Sequence, residues 1–242
     1  MPAGVWLYLR FLFGIMEGDR AESLGRSRHD PTRACLEVLA EARNPVGLLT
    51  KNHLVTRDID LLRELARWGA ASVSLSVTTL DRSLQRVMEP RTSIPERRLD
   101  ASARLAEAGI PVGVNVAPVI PGLTDHEIPA ILEAAAEAGA HRAGTIMLRL
   151  PLAVAPLFED WLERHFPDRK QKVLNRMRAL RGGRLYDSAY GTRMKGVRPF
   201  AEQVLSLFEV ACRRHGLDRA APRLSTAHFR PPRAGPQFGL FD

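Results

Sequence analysis

Short apolar stretches alternate with longer helical patterns from residue 30 to residue 150, and this alternation constrains the fold more than any other feature of the sequence. Four such stretches are present: 46–50, 71–79, 112–120 and 143–150. Parallel strands need a long crossover connection, usually a helix, whereas antiparallel strands are joined by short hairpins. Strands that alternate with helices are therefore expected to run parallel. The sequence therefore predicts an α/β fold with a parallel sheet, either a doubly wound sheet or a partial barrel.

Within these stretches, branched apolar residues alternate with small or polar ones, as in the run from Val73 to Thr78. The small or polar face would contain Ser74, Ser76 and Thr78, then Gly113, Asn115 and Ala117, and finally Thr145, Met147 and Arg149. A solid barrel is filled by branched side chains, so a small and polar inner face favours a lumen that holds a polar ligand.

The carboxyl ends of parallel strands carry the chemistry in both candidate architectures. The polar residues expected there are Thr50, Lys51, Ser76, Thr78, Asn115 and Arg149, together with Pro118. A serine or threonine at such a position also serves to cap the next helix, and we predict capping boxes at Ser93 with Glu96 and at Thr124 with Glu127. Arg149 ends an apolar strand, so it needs an anionic partner, either a ligand carboxylate or a structural acid.

The positive charge of the chain is concentrated in its carboxyl-terminal part. The formal charge is +8, and residues 164–233 carry 17 Lys or Arg against 5 Asp or Glu. A basic face suits phosphate groups or nucleic acid. The two cysteines, Cys35 and Cys212, are too far apart in the sequence to indicate a disulfide framework or a zinc site, and a reducing cytoplasm is the expected compartment. The scattered histidines predict no metal site.

Residues 1–16 are apolar and aromatic, but they fit neither a secretory signal nor a membrane-spanning helix, which needs about 20 apolar residues. We therefore expect no membrane partner, and residues 1–29 look unlike the rest of the chain.

Five short motifs carry a resemblance to a known family. They are the runs Asn44-Pro-Val-Gly-Leu-Leu-Thr-Lys-Asn, Ser74-Leu-Ser-Val-Thr-Thr-Leu-Asp, Glu89-Pro-Arg, Val116-Ala-Pro-Val-Ile-Pro-Gly-Leu-Thr-Asp and Leu185-Tyr-Asp-Ser-Ala-Tyr-Gly-Thr-Arg-Met. From about Asp30 to its end, the chain resembles the spore photoproduct lyase-like, DNA photolyase-like branch of the radical S-adenosylmethionine (radical SAM) superfamily. The resemblance implies a partial (β/α)6 barrel, S-adenosylmethionine as cofactor, and a [4Fe-4S] cluster that cleaves it to a 5′-deoxyadenosyl radical.

The chain departs from the family pattern in its cysteines. The family holds the cluster with a Cys-x-x-x-Cys-x-x-Cys loop, and neither this loop nor the Gly-rich strand motif that follows it is present. About four of the six family strands are expected, and the missing ones are the first two. We therefore expect either a chain truncated at its amino terminus or one half of a split protein whose amino-terminal half is a separate chain. This chain alone is expected to be inactive as a lyase-like enzyme.

The resemblance implies a division of the chain into four parts. These are a non-homologous or poorly ordered segment 1–29, a partial barrel 30–152, a helical extension 153–220 and a flexible Pro- and Arg-rich tail 221–242.

The resemblance also assigns roles to individual residues. The expected cofactor-binding residues are Ser74, Ser76, Asn115, Pro118, Ile120, Gly122, Asp125 and Arg149. Among them, Ile120 would cover adenine or would simply belong to the core. Arg149 would pair with the methionine carboxylate. Tyr186 and Tyr190 are candidates for a hydrogen-atom relay, although tyrosines in such a segment also hydrogen-bond a loop to a helix.

The last residues, Gln237-Phe-Gly-Leu-Phe241, resemble the motif that binds the bacterial DNA sliding clamp, with Gln237, Leu240 and Phe241 as the contact residues. A Pro-rich arm would present this pentapeptide to a pocket on the partner. Two functions therefore stay open at this point. The first is a radical SAM protein linked to DNA repair, and the second is an inactive remnant or subunit that acts only as a nucleic-acid or clamp-binding module.

Overall fold

The structure is a computed structural model, and it describes residues 31–186 and 199–231. The strands are β1 Val46–Thr50, β2 Ala71–Ser76, β3 Val112–Val119 and β4 Arg142–Met147. The helices are α1 Pro31–Glu41, α2 Ile59–Arg67, α3 Arg82–Met88, α4 Pro95–Glu107, α5 Ile128–Glu137, α6 Val154–His165, α7 Pro167–Ala179 and α8 Pro199–His215. Two 3-10 turns, His53–Asp58 and Asp125–Glu127, precede α2 and α5. None of the helices in these ranges combines the length and apolar content needed to cross a bilayer.

The four strands form one parallel sheet in the order β1-β2-β3-β4. The register places Val46 opposite Ala71, Val73 opposite Val112, and Gly113 opposite Arg142. The predicted α/β fold with a parallel sheet of four strands and a helical extension is confirmed. The predicted strand limits lie within three residues of the observed ones because the apolar alternation marks them directly.

Three helices end in the same way. Gly69, Gly109 and Gly139 follow α2, α4 and α5 with φ values of 62°, 76° and 79°. Residues with a Cβ rarely adopt this left-handed conformation, so glycine stops each helix and turns the chain into the next strand. At Gly139 a Cβ would also lie 2.6 Å from the Cβ of Ala106, and this packs α5 closely against α4.

The branched residues of the strands face the helices. Val73 and Leu75 of β2 pack with Leu62, Leu65 and Leu105, and none of these five side chains is more than 1% exposed. In β3, Val114 and Val116 pack in the same way against α5 and α8. Since side chains alternate along a strand, the residues between them lie on the opposite, inner face of the sheet.

The predicted inner face of β4 is wrong. Met147 is 1% exposed and lies in the core with Ile131 and Phe208, on the helix side of the sheet. The hydroxyl of Thr145 donates a hydrogen bond to the backbone carbonyl of Val116 at 3.0 Å, so this polar residue needs no ligand. The inner face of β4 is therefore formed by the alternate set, which includes Gly144.

Neither predicted capping box forms. The hydroxyl of Ser93 accepts a hydrogen bond from the backbone of the first 3-10 turn, and the N-cap position of α4 is taken by Ile94, which makes no side-chain capping bond. The hydroxyl of Thr124 accepts from the backbone N–H of Ile120 at 2.9 Å. Glu127 binds the loop that follows β2 instead of its own helix end. Ser93 and Glu127 therefore bond neighbouring loops and do not cap their own helices.

Residues 217–231, called the strap below, cross the amino-terminal edge of the sheet after α8. The carbonyl of Leu217 accepts a hydrogen bond from β4, Ser225 donates to the turn before β2, and Arg230 donates to the turn before β1. The predicted boundary of the tail at residue 221 falls inside this segment. The strap thus runs from one side of the sheet to the other at the end opposite to the candidate site.

Candidate functional site

A charged cluster joins the carboxyl ends of three strands. The ammonium group of Lys51, just after β1, donates hydrogen bonds to Glu89, to the hydroxyl of Thr78 at 3.0 Å and to the carbonyl of Ala117 at 3.2 Å. On its other side, Glu89 accepts a hydrogen bond from Arg98 at 2.8 Å. One ammonium therefore ties β1 to the ends of β2 and β3, and all three of its protons are used.

Arg98 is the most deeply buried charge of this cluster, since its side chain is 1% exposed. Besides Glu89, its guanidinium donates to the carbonyl of Ser76 at 2.9 Å and to the carbonyl of Ser93 at 2.7 Å, and to the hydroxyl of Thr92. A buried guanidinium is tolerated when its donors are satisfied and an acid pairs with it. Arg98 thus fixes the end of β2 against the loop that carries Glu89.

The electrostatics follow from this burial. Burial lowers the pKa of the Lys51 ammonium below its ordinary value, although the charge of Glu89 works in the opposite direction. Burial alone would raise the pKa of the Glu89 carboxyl, but the charges and hydrogen bonds of Lys51 and Arg98 outweigh it, so this pKa lies below its ordinary value. Glu89 is therefore ionised at neutral pH and serves as the common counter-ion of both cations.

A guanidinium closes the amino-terminal part of the inner face. Arg142, at the start of β4, donates to the hydroxyl of Ser74 at 2.8 Å. Its side chain crosses β3 at Gly113, where a Cβ would lie 2.8 Å from the guanidinium carbon. Ser74, a predicted cofactor contact, is 6% exposed and engaged with Arg142. A ligand of the inner face must therefore enter from the carboxyl ends of the strands.

Ser76 and Asn115, two other predicted contacts, lie together on the inner face, two residues closer to the carboxyl ends of the strands than Ser74 and Gly113. They are register partners on β2 and β3. The carboxamide of Asn115 lies over Gly144 of β4, whose Cβ would be 2.5 Å from the carboxamide oxygen. Asn115 is half-buried, whereas Ser76 is 4% exposed. This part of the inner face lies directly below the Lys51 cluster, and it offers a hydroxyl and an amide on one surface.

Four predicted contacts lie at the end of β3 and in the turn that follows it. Pro118 is half-buried and follows a cis peptide bond. Gly122 has a φ of 85° and donates its N–H to Asp125 at 3.0 Å, and the other oxygen of Asp125 pairs with Arg176 at 3.1 Å. Ile120 is 1% exposed in the core, which favours its structural role. Asp125 therefore shapes the turn in this structure, and its contact to a ligand stays a prediction.

Arg149 and Tyr186 lie together at the end of β4. The guanidinium carbon is 5.9 Å from the centroid of the tyrosine ring, within the range of a cation–π contact. The other tyrosine of the predicted relay, Tyr190, lies outside the described residues, and so do Gln237, Leu240 and Phe241.

The cysteines do not fit an iron–sulfur cluster. Cys35 is exposed on α1, whereas Cys212 is 5% exposed in the core on α8. Burial raises the pKa of the Cys212 thiol to about 11, so it stays protonated at neutral pH and is no thiolate ligand. Within the two described ranges, no group of three His, Cys, Asp or Glu residues could hold a metal ion.

The sequence did not predict that Lys51, Glu89 and Arg98 form one charged cluster. Lys51 was placed at a strand end, and Glu89 was quoted only within a family motif. One signal for Arg98 was available, because it shares a helix face with Ala101 and Leu105, the two apolar residues three and seven positions later. An arginine on such a face predicts a buried acid nearby.

The fold is that of an α/β protein with a parallel sheet, and the carboxyl ends of its strands carry a polar edge. The sequence model of the Radical SAM superfamily matches residues 23–135. The match covers somewhat less than half of the chain, and over this stretch the chain is similar to the Radical SAM superfamily. Its four parallel strands are consistent with part of a radical SAM (β/α) barrel.

The chain is also similar to curated relatives and to a solved structure over part of its length. An uncharacterized protein of Mycobacterium tuberculosis is 35% identical over 133 residues, which cover 54% of this chain and 39% of the relative. An uncharacterized protein of Methanocaldococcus jannaschii is 33% identical over 87 residues, which cover 36% of this chain and 32% of the relative. A point mutant of spore photoproduct lyase shares the fold, with a TM-score of 0.51 and 18% identity over 76% of this chain and 52% of the lyase. The chain thus spans about half the length of the lyase and less of these relatives.

Proposed function

We propose that this chain is the S-adenosylmethionine-binding portion of a radical SAM protein linked to nucleic-acid repair. The observation that carries the proposal is the surface formed by Ser76 and Asn115, in register below the Lys51 cluster at the carboxyl ends of the strands. The superfamily match supports the cofactor. The fold likeness to a spore photoproduct lyase and the basic carboxyl-terminal part support the link to nucleic acid.

The chain offers groups that fit the polar parts of S-adenosylmethionine. The hydroxyl of Ser76 and the carboxamide of Asn115 suit hydrogen bonds to ribose or to the methionine group. Arg149, at the end of β4, suits a bidentate pair with the methionine carboxylate. The ammonium group of Lys51 donates its three hydrogen bonds to Glu89, Thr78 and Ala117, so it fixes the strand ends beside the site.

The chain's own residues do not fit the cluster that would cleave this cofactor. Cys35 and Cys212 lie on different helices, one exposed and one in the core. We therefore propose that the chain by itself binds S-adenosylmethionine without cleaving it. The alternative is a module that binds only nucleic acid or a clamp and has no affinity for the cofactor.

Titration of the purified chain with S-adenosylmethionine in a calorimeter tests the proposal. We expect saturable binding that Asn115→Leu weakens about tenfold, the effect of losing one hydrogen bond of about 1.4 kcal/mol. Arg149→Gln should weaken binding by about 10- to 100-fold, because a charge-assisted bond is lost. Thr145→Val is the matched control, since its hydroxyl is engaged with the backbone carbonyl of Val116 and the residue is not one of the proposed cofactor contacts.

A wild-type chain that does not bind at millimolar cofactor would overturn the proposal, and so would an Asn115→Leu variant that binds normally. Anaerobic reconstitution with iron and sulfide, followed by an assay for 5′-deoxyadenosine under reduction, separates binding from cleavage. We expect neither a stoichiometric cluster nor product from this chain alone. A product would show that the cysteine argument is wrong.

We also propose that the tail recruits the DNA sliding clamp through Gln237, Leu240 and Phe241. The support for this proposal is the sequence Gln237-Phe-Gly-Leu-Phe241 after a Pro-rich arm. The double variant Gln237→Ala/Phe241→Ala should lose clamp binding in a pull-down with the purified clamp, while its S-adenosylmethionine titration stays unchanged. Retention of clamp binding would discard the tail motif.

A further inference from the structure

A groove beside the candidate site lies between α7, α8 and the turn after β3, which contributes Gly122 and Asp125 to its lining. The groove has a volume of about 550 Å3, and its lining also includes Arg169, Lys172, Arg176, Phe200 and Leu207. A second cavity of about 440 Å3 shares His126 and Arg169 with it, but its lining includes the acids Asp81 and Glu127. The first cavity alone is called the α7 groove below.

One side of the α7 groove is basic. Arg169, Lys172 and Arg176 are three and four residues apart, so they lie on one face of α7 and span about 10 Å along its axis. Arg176 pairs with Asp125, whereas Arg169 and Lys172 are exposed and have no acidic partner among the residues that the structure describes.

The other side of the α7 groove is apolar. Phe200 is partly buried beside Arg176, and Leu207, two turns further along α8, is 40% exposed. Apolar and aromatic side chains next to a row of cations are typical of surfaces that bind single strands, because unpaired bases can pack on them while phosphates meet the cations. A duplex would turn its bases away from this wall.

We propose that the α7 groove binds single-stranded nucleic acid, with phosphodiester groups on Arg169 and Lys172 and bases against Phe200 and Leu207. The proposal rests on the proposed function only for its link to nucleic acid. Binding of S-adenosylmethionine takes place on the inner face of the sheet and is measured separately, so each proposal can fail without the other.

Fluorescence anisotropy with a labelled single-stranded 20-nucleotide DNA tests the groove in the full chain. The variant Arg169→Gln/Lys172→Gln should bind about tenfold more weakly. The slope of log K against log salt should become smaller by roughly 1.4, since each phosphate contact to a single strand contributes about 0.7. The matched control is Arg164→Gln/Arg178→Gln. It removes the same charge from α6 and from the opposite side of α7, so it should bind within about twofold of the wild type.

An equal loss of DNA affinity in both double variants would overturn the proposal, because it would show attraction by net charge alone. A wild-type chain that does not bind the single strand would also overturn it. A duplex of the same sequence should bind more weakly than the single strand, and equal or tighter duplex binding would contradict the single-strand assignment. Circular dichroism and the S-adenosylmethionine titration should be unchanged in both variants.

Discussion

Replacement of Arg98 by methionine is expected to lower the free energy of unfolding by about 3–5 kcal/mol. The change leaves Glu89 buried with one cation instead of two, and it deprives the carbonyls of Ser76 and Ser93 of their donor. Methionine fills a similar volume, so the decrease in the free energy of unfolding comes from the missing charge and hydrogen bonds more than from a cavity. Urea unfolding followed by circular dichroism measures it.

Arg82→Gln is the matched control for this experiment. Arg82 pairs with Glu96 on the surface, with side chains that are 63% and 51% exposed, so its loss should change stability by about 0.5 kcal/mol or less. If Arg98→Met were as mild as this control, the charged cluster would not hold the carboxyl edge of the sheet together.

Replacement of Glu89 by glutamine is expected to cost about 3 kcal/mol near pH 7, because Lys51 and Arg98 are then left close together without a counter-ion. The pKa of Glu89 lies below its ordinary value of 4.5 in the folded state. Its contribution to stability is therefore complete above about pH 4.5 and is lost as the pH falls through the folded-state pKa. The difference between wild type and variant should shrink over that acidic range.

Urea unfolding at a series of pH values between about 3 and 7 measures this dependence. Glu96→Gln removes an exposed acid of the neighbouring helix and should leave the pH profile nearly unchanged. A wild-type advantage over Glu89→Gln that stays constant down to pH 3 would contradict the assignment of Glu89 as the shared counter-ion.

The limits and the parallel direction of the strands could be predicted from sequence because each signal is local. The alternation from Val73 to Thr78, and glycines such as Gly69 after the helices, involve residues that are neighbours in the chain. Ser76 and Asn115 were predicted to share a surface for the same reason, since their faces follow from the alternation of their strands. The register then places them side by side.

The charged cluster could not be predicted in the same way because its members meet only in the folded chain. Lys51 and Glu89 are 38 residues apart, and no local pattern pairs them. The errors have a related cause. The hydroxyl of Thr145 bonds the backbone of β3, and that of Thr124 accepts from the N–H of Ile120 within its own turn, so a polar side chain at those positions indicated neither a ligand nor a cap.

The strap also affects how the sheet comes apart. Among the described residues, β1 has a neighbouring strand on one side only, and such a strand ordinarily opens first and alone. Here the strap bonds the turn before β1, the turn before β2 and the first part of β4. We therefore expect the opening of β1 to be coupled to that of β4, so that the four strands open as one cooperative unit.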